Sequence, residues 1–303
     1  MDRLKLWLSA FRLRTLPLSV SGIIIGGCTA YYNGFFDYKI FILAILVTLG
    51  FQILSNLAND YGDGVKGTDN DDRIGPERAV QSGKITPDEM FDALKVNILV
   101  VIFLTFMLIY ASFGSRNFLF SMSFFILGAL SIYAALKYTI GESAYGYRAL
   151  GDLMVFLFFG VLSVMGSYFL FARSLEHVLI LPAIIVGLLS TGVLNLNNMR
   201  DLESDTNSHK ITVAVKFGLK RAKRYHAFLI ITALVLGLTF GILYYRSFIS
   251  ILFFIAFIPI IKHLQFVFKV KEPKALDSQL KVLALSTFVL SVLLGIGFIF
   301  NGM

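Results

Sequence analysis

The chain has 303 residues, of which 57% are hydrophobic and only 15% charged, with a mean hydropathy of +0.77. A soluble domain of this length carries roughly 25% charged residues, and the apolar residues here come in long runs rather than in alternation. That excludes a soluble globular enzyme and points to an all-α polytopic membrane protein. The net charge of +8 has its explanation in loops that flank a lipid bilayer, so no nucleic-acid partner is expected.

In chain order, the first residues, MDRLKLWLSAFRLRT, form a basic amphipathic stretch suited to the bilayer surface, with no signal-cleavage pattern behind it. Nine apolar segments follow, near 16–32, 40–58, 94–113, 117–136, 150–172, 178–197, 226–245, 247–268 and 280–300. Each is close to the ~20 residues a transmembrane helix needs. They predict nine transmembrane helices in one domain, 1–303. The seventh and eighth meet so tightly at Tyr245-Arg246-Ser247 that a hairpin is required. Cys28, the single cysteine, lies in an apolar run and is expected to be a small core residue.

With the N-terminus inside, all but four of the 27 Lys and Arg fall on inner connections. The exceptions are Lys39, Arg116, Arg173 and Arg246. The positive-inside rule then puts the N-terminus in the cytoplasm and the C-terminus outside the cytoplasmic (inner) membrane.

Two polar stretches close long apolar segments on that inner side. The first, 56–72, reads NLANDYGDGVKGTDNDD and carries Asp60, Asp63, Asp69, Asp71 and Asp72. Asn59, Asp63 and Asp69 follow an N-x3-D-x5-D pattern, and a helix continuing through Asp63 puts Asn59 and Asp63 on one face. The second, 195–205, reads NLNNMRDLESD, with Asp201 and Asp205 four apart, on one face if the helix continues, and Asn198 three residues before Asp201. Such a pair about half a chain apart suggests an internal repeat. Clustered oxygen ligands with no His or Cys nearby suit Mg²⁺ held together with substrate phosphates. The competing reading of either stretch is an acidic loop that only solvates a helix end; the repetition argues against it.

Basic residues stand beside the motifs. Arg73 and Lys210 are the better candidates for binding a diphosphate, whereas the run Lys220-Arg221-Ala222-Lys223-Arg224 suits a juxtamembrane anchor on anionic lipid. Between the fourth and fifth spans, KYTIGESAYGYRALGD adds Lys137, Arg148 and Asp152, and Asp152 at the start of a span needs a partner such as Arg148. The four histidines show no metal-ligand spacing.

The stretches NLANDYGDGVKGTD, DDRIGPERAVQSGKIT and NLNNMRDLESDTNSHKITVAVKFG, with RLRTLPLSVSG before them and YGYRALGD between, resemble the UbiA superfamily of membrane prenyltransferases. The likeness covers nearly the whole chain and is closest to the MenA branch, whose acceptor is 1,4-dihydroxy-2-naphthoate. The x5 gap between Asp63 and Asp69, where other branches have x3, favours that branch. The resemblance implies helices around a central cavity, and transfer of a prenyl group from a polyprenyl diphosphate with loss of carbon dioxide, giving demethylmenaquinone. It implies catalytic roles for Asp63, Asp201 and Asp205, and Mg²⁺ held by Asn59, Asp63, Asp69, Asn198, Asp201 and Asp205. Arg73, Lys137, Arg148 and Lys210 would bind the diphosphate. Two alternatives stay open: another aromatic acceptor such as homogentisate, and a cation-coupled secondary transporter. The transporter would need charges near the bilayer midplane and access from both sides.

Overall fold

In a bilayer the backbone must satisfy its own hydrogen bonds, which leaves helices or closed barrels. The computed structural model describes residues 3–69, 74–75 and 77–301, and among these the regular structure is helical, joined by turns and loops, with one isolated bridge between Arg148 and Ile211. A short helix α1 (Arg3–Ala10) precedes α2 (Leu16–Tyr32), α3 (Tyr38–Val65), α4 (Pro87–Phe113), α5 (Phe118–Lys137) and α6 (Gly151–Ala172). There follow α7 (Ile180–Arg200), α8 (Leu202–Asn207), α9 (Val213–Leu243), α10 (Phe248–Lys269) and α11 (Asp277–Asn301). Eight stretches are long and apolar enough to cross a bilayer, and the 17-residue α2 makes the ninth. The protein is a multi-pass membrane protein, as hydropathy predicts.

Helix ends depart from the hydropathy boundaries because capping chemistry sets them. Asp37 accepts from the backbone N–H groups of Lys39 and Ile40 and starts α3. At 28 residues α3 is about 42 Å long at 1.5 Å per residue, well beyond a ~30 Å hydrocarbon layer. Its last turns therefore carry the first motif out of the apolar zone. α4 starts seven residues before the expected position because Thr86 and Glu89 form a reciprocal capping box with Pro87 in the first turn.

The core is built around α7, where Ile185, Val186, Leu189, Leu196 and Met199 are all at most 1% exposed. It packs against α6, α9 and α11. α2 approaches α6 closely because Gly22 and Gly26 face Ser163 and Ser167, and a Cβ on Gly26 would stand 2.1 Å from the Ser167 Oγ. The middle of α6, Phe156–Gly166, is wound as a π-helix. By contrast α5 buries only Ala134 and presents its remaining surface outward, as a lipid-facing helix does.

Candidate active site

The last turns of α3 place Asn59 and Asp63 one turn apart on one face, as their spacing predicts. Past Val65 the chain reverses at Gly67, whose φ of 70° lies in the left-handed region open to glycine. The reversal lets the N–H groups of Thr68 and Asp69 both donate to the Asp63 carbonyl, at 2.9 and 3.3 Å. Asp69 is thus folded back onto the helix end, buried, with its Oδ2 3.6 Å from Arg78 Nε.

The second motif departs from the expected continuous helix. α7 ends at Arg200, and Asp201 (φ −93°, ψ 15°) separates it from α8. Arg200, only 1% exposed, holds both oxygens of its neighbour: Nε to Asp201 Oδ1 at 2.8 Å and Nη2 to Oδ2 at 2.6 Å. The same guanidinium donates to Asn197 Oδ1 (2.9 Å) and, through Nη1, to Asp277 Oδ1 (2.6 Å). The turn nevertheless keeps Asp205 N–H on the Asp201 carbonyl at 2.8 Å, so Asp205 stays one turn further along.

After α8 the chain turns at His209 in a left-handed conformation, and Lys210 N–H returns to the Asp205 carbonyl. The Lys210 ammonium then reaches across to the first motif, 3.0 Å from Asp63 Oδ2 and 4.0 Å from Asp205 Oδ1. Burial alone would lower this lysine, but Asp63 and Asp205 outweigh it and hold the ammonium above the usual lysine range. Tyr147 donates to Asp63 Oδ1 at 2.8 Å and accepts from Thr68 Oγ1 at 2.6 Å. Burial, and next the Asp63 charge, push its phenol up, so it remains a donor. Ser208 reaches the Thr68 carbonyl at 3.4 Å, Lys66 donates to the carbonyls of Thr139 and Gly141, and the Arg148–Ile211 bridge brings the remaining connection alongside. Three polar connections far apart in sequence meet at one end of the bundle.

That end opens on a cavity of ≈ 950 Å³. Its polar end is lined by Asn59, Asp63, Asn198, Arg200, Lys210 and Tyr138, and its body by apolar residues of α2 to α6, Phe51, Phe124, Phe158 and Phe159 among them. Burial pushes the Tyr138 phenol up to about 12. Asp69, Asp201 and Asp205 are buried beside the lining. Lys137 and Arg148 are not among the lining residues, and Arg73 lies outside the described residues. Asp152 has Tyr225 for a neighbour and makes no ion pair with Arg148, whose backbone is in the bridge to Ile211 and whose side chain is exposed.

The donors fit Mg²⁺ in chemistry: carboxylate and amide oxygens, several of them buried, without sulfur or imidazole. Among the described residues no three His, Cys, Asp or Glu side chains converge into a cage. Mg²⁺ is ordinarily held by one or two carboxylates completed by substrate phosphates. Sequence reasoning missed Arg200 as a site residue, together with the stripe Gln52, Ser55 and Asn56 that continues the Asn59–Asp63 face along the cavity. That stripe had a signal: polar residues at helical spacing inside an otherwise apolar span.

Residues 19–292 match the model of the UbiA prenyltransferase family. The chain is 42% identical over 280 residues to a 1,4-dihydroxy-2-naphthoate octaprenyltransferase of Escherichia coli (strain K12), covering 92% of this chain and 90% of that one. A protein of the same name from Haemophilus influenzae is 37% identical over 302 residues, covering 98% and 96%. In fold it is similar to a UbiA homologue from Archaeoglobus fulgidus solved with DMAPP and Mg²⁺, with a TM-score of 0.63 at 14% identity, covering 95% of this chain and 99% of that one. The chain belongs to the UbiA prenyltransferase family.

Proposed function

We propose that this enzyme transfers a polyprenyl group from a polyprenyl diphosphate to 1,4-dihydroxy-2-naphthoate, releasing carbon dioxide and diphosphate and giving demethylmenaquinol, the reduced form of demethylmenaquinone, for menaquinone synthesis. Relatives that are 37–42% identical over most of the chain carry that activity in their names, as octaprenyltransferases. The observation that carries the reading is the meeting of Asp63 and Asp205 at Lys210, at the polar end of a long apolar cavity. A diphosphate needs the polar end and a prenyl chain needs the rest.

Asn59, Asp63, Asp69, Asn198, Asp201 and Asp205 would hold Mg²⁺, the ion found with DMAPP in the Archaeoglobus homologue. When bound, the ion supplies Lewis-acid neutralisation of the diphosphate. Lys210 is placed to bind a diphosphate oxygen, and Tyr147 fixes the Asp63 carboxylate that faces it. Lys137 and Arg148 are proposed to bind further diphosphate oxygens, as is Arg73, which lies outside the described residues.

The allylic C–O bond breaks and the diphosphate leaves with the electron pair. The ring carbon bearing the carboxylate bonds to the allylic carbon. The bond to the carboxylate then breaks, and its electron pair restores the aromatic ring as carbon dioxide departs. No proton has to be removed from that carbon, so no general base is assigned. The apolar walls keep water from the cationic centre, and aromatic faces such as Phe158 and Phe159 suit it.

The charge bias of the connections supports a cytoplasmic membrane location, with the N-terminus and the site on the cytoplasmic side. Purified protein given dihydroxynaphthoate, octaprenyl diphosphate and Mg²⁺ should yield a lipid of demethylmenaquinol mass, which air oxidises to demethylmenaquinone. Product from homogentisate with none from dihydroxynaphthoate would overturn the acceptor assignment.

A further inference from the structure

We infer that Arg78 forms the subsite for the carboxylate of the aromatic acceptor, an inference that rests on the acceptor class proposed above. The segment bearing it is clasped to α3 by Asp60, whose two oxygens accept from Ala79 N–H and Val80 N–H, each at 3.2 Å. Val80 packs on Gly64, where a Cβ would stand 2.7 Å from Val80 Cγ1, and the Ile85 side chain is 2% exposed. Asp60 therefore serves to place Arg78 on the cavity wall beside Asn59 and Asp63.

The guanidinium so placed has capacity left. Its Nε is 3.6 Å from Asp69 Oδ2, beyond a good hydrogen bond, and its Nη1 is buried with no hydrogen-bond partner among the described residues. A buried guanidinium nitrogen without an acceptor is costly, and a ligand oxygen there removes the cost. Of the other basic groups on the wall, all three Arg200 nitrogens have acceptors, Lys210 lies between Asp63 and Asp205, and Lys281 is exposed. Arg12 has a partner of its own and keeps a buried Nη2 without an acceptor among the described residues, but it stands on the segment before α2, not on the one that Asp60 clasps.

The wall also carries Asp60, Asp63, Glu77 and Asp277, so an anionic acceptor entering it meets repulsion unless a cation receives it. The diphosphate has Lys210 and the proposed metal ligands. The acceptor carboxylate has Arg78, whose planar fork matches it.

The test uses the full chain in detergent without diphosphate. Trp7 is the only tryptophan and sits one residue before Leu8, which lines the cavity, so energy transfer from Trp7 reports naphthalene binding. The probes are 1-hydroxy-2-naphthoate and 1-naphthol, which differ by the carboxylate. Wild type should bind the carboxylated probe at least about tenfold more tightly, as a charge-assisted bond gives. Arg78→Gln should bring the ratio to about one and Arg78→Lys should keep part of it, with KM for the polyprenyl diphosphate in turnover changed less than about twofold. An unchanged ratio in Arg78→Gln, or a rise confined to the diphosphate KM, overturns the inference. Should Arg78→Gln fail to fold, Arg78→Lys with an undiminished ratio has the same force. Wild type that converts dihydroxynaphthoate yet does not discriminate between the probes sinks the subsite alone. Wild type that makes no product from dihydroxynaphthoate sinks the acceptor reading first.

Discussion

Asp63 receives Tyr147 on one oxygen and Lys210 on the other, so an isosteric amide keeps its shape and half of its bonds while losing its charge. Asp63→Asn and Asp201→Asn are each expected to lower turnover by about 10²- to 10³-fold, the scale of losing one charge-stabilising group. Both should stay folded and inserted, as read by thermal unfolding and detergent extraction. Near-normal turnover in either would remove it from the catalytic set. Arg200→Lys keeps the charge but loses the bidentate hold on Asp201, and should cost about 10- to 100-fold in Mg²⁺ affinity, read by metal titration. Asn59 and Asp63 were legible in the sequence because four residues on a helix make one face. Asp69 was legible only as part of a pattern, since its return depends on the reversal at Gly67. Arg200 read as one more charge on a basic loop, because its burial depends on Asp277, 77 residues away.

The number and order of helices followed from apolar runs alone, because in lipid the backbone has almost no other choice. Their ends did not, since Thr86 with Glu89, and Asp201 with Arg200, override the hydropathy pattern by local hydrogen bonds. The clasp at Asp60 likewise left no periodic trace. Asp60→Ala should raise hydrogen exchange across 77–85 while leaving 204–210 unchanged, and equal change in both would mean the two connections open together. The α2–α6 contact has no room for a methyl group at Gly26. Gly26→Ala should destabilise the protein by about 1–3 kcal/mol, the usual cost of overpacking, read as a lower unfolding midpoint. An unchanged midpoint would show that the two helices separate without cost.

For the whole molecule, the fold brings the ends of α3 and α7 to one mouth, and the proposed function has the two half-chain motifs act there on one ligand. Orientation can be tested without assuming the enzyme. In a Cys28→Ala background, Ser82→Cys and Ser208→Cys should resist an impermeant thiol reagent in intact cells, whereas Tyr245→Cys should react. Labelling of the first two from outside would place the site on the wrong face for a cytoplasmic diphosphate. Whether the two motifs share one metal–diphosphate complex is settled by Mn²⁺ paramagnetic resonance, with a non-ionisable prenyl diphosphate analogue on wild type, Asp63→Asn and Asp205→Asn. Wild type should show analogue-dependent bound Mn²⁺, and each variant should lose most of it, although the two residues lie on different connections. Wild-type Mn²⁺ signals in both variants would contradict a shared site.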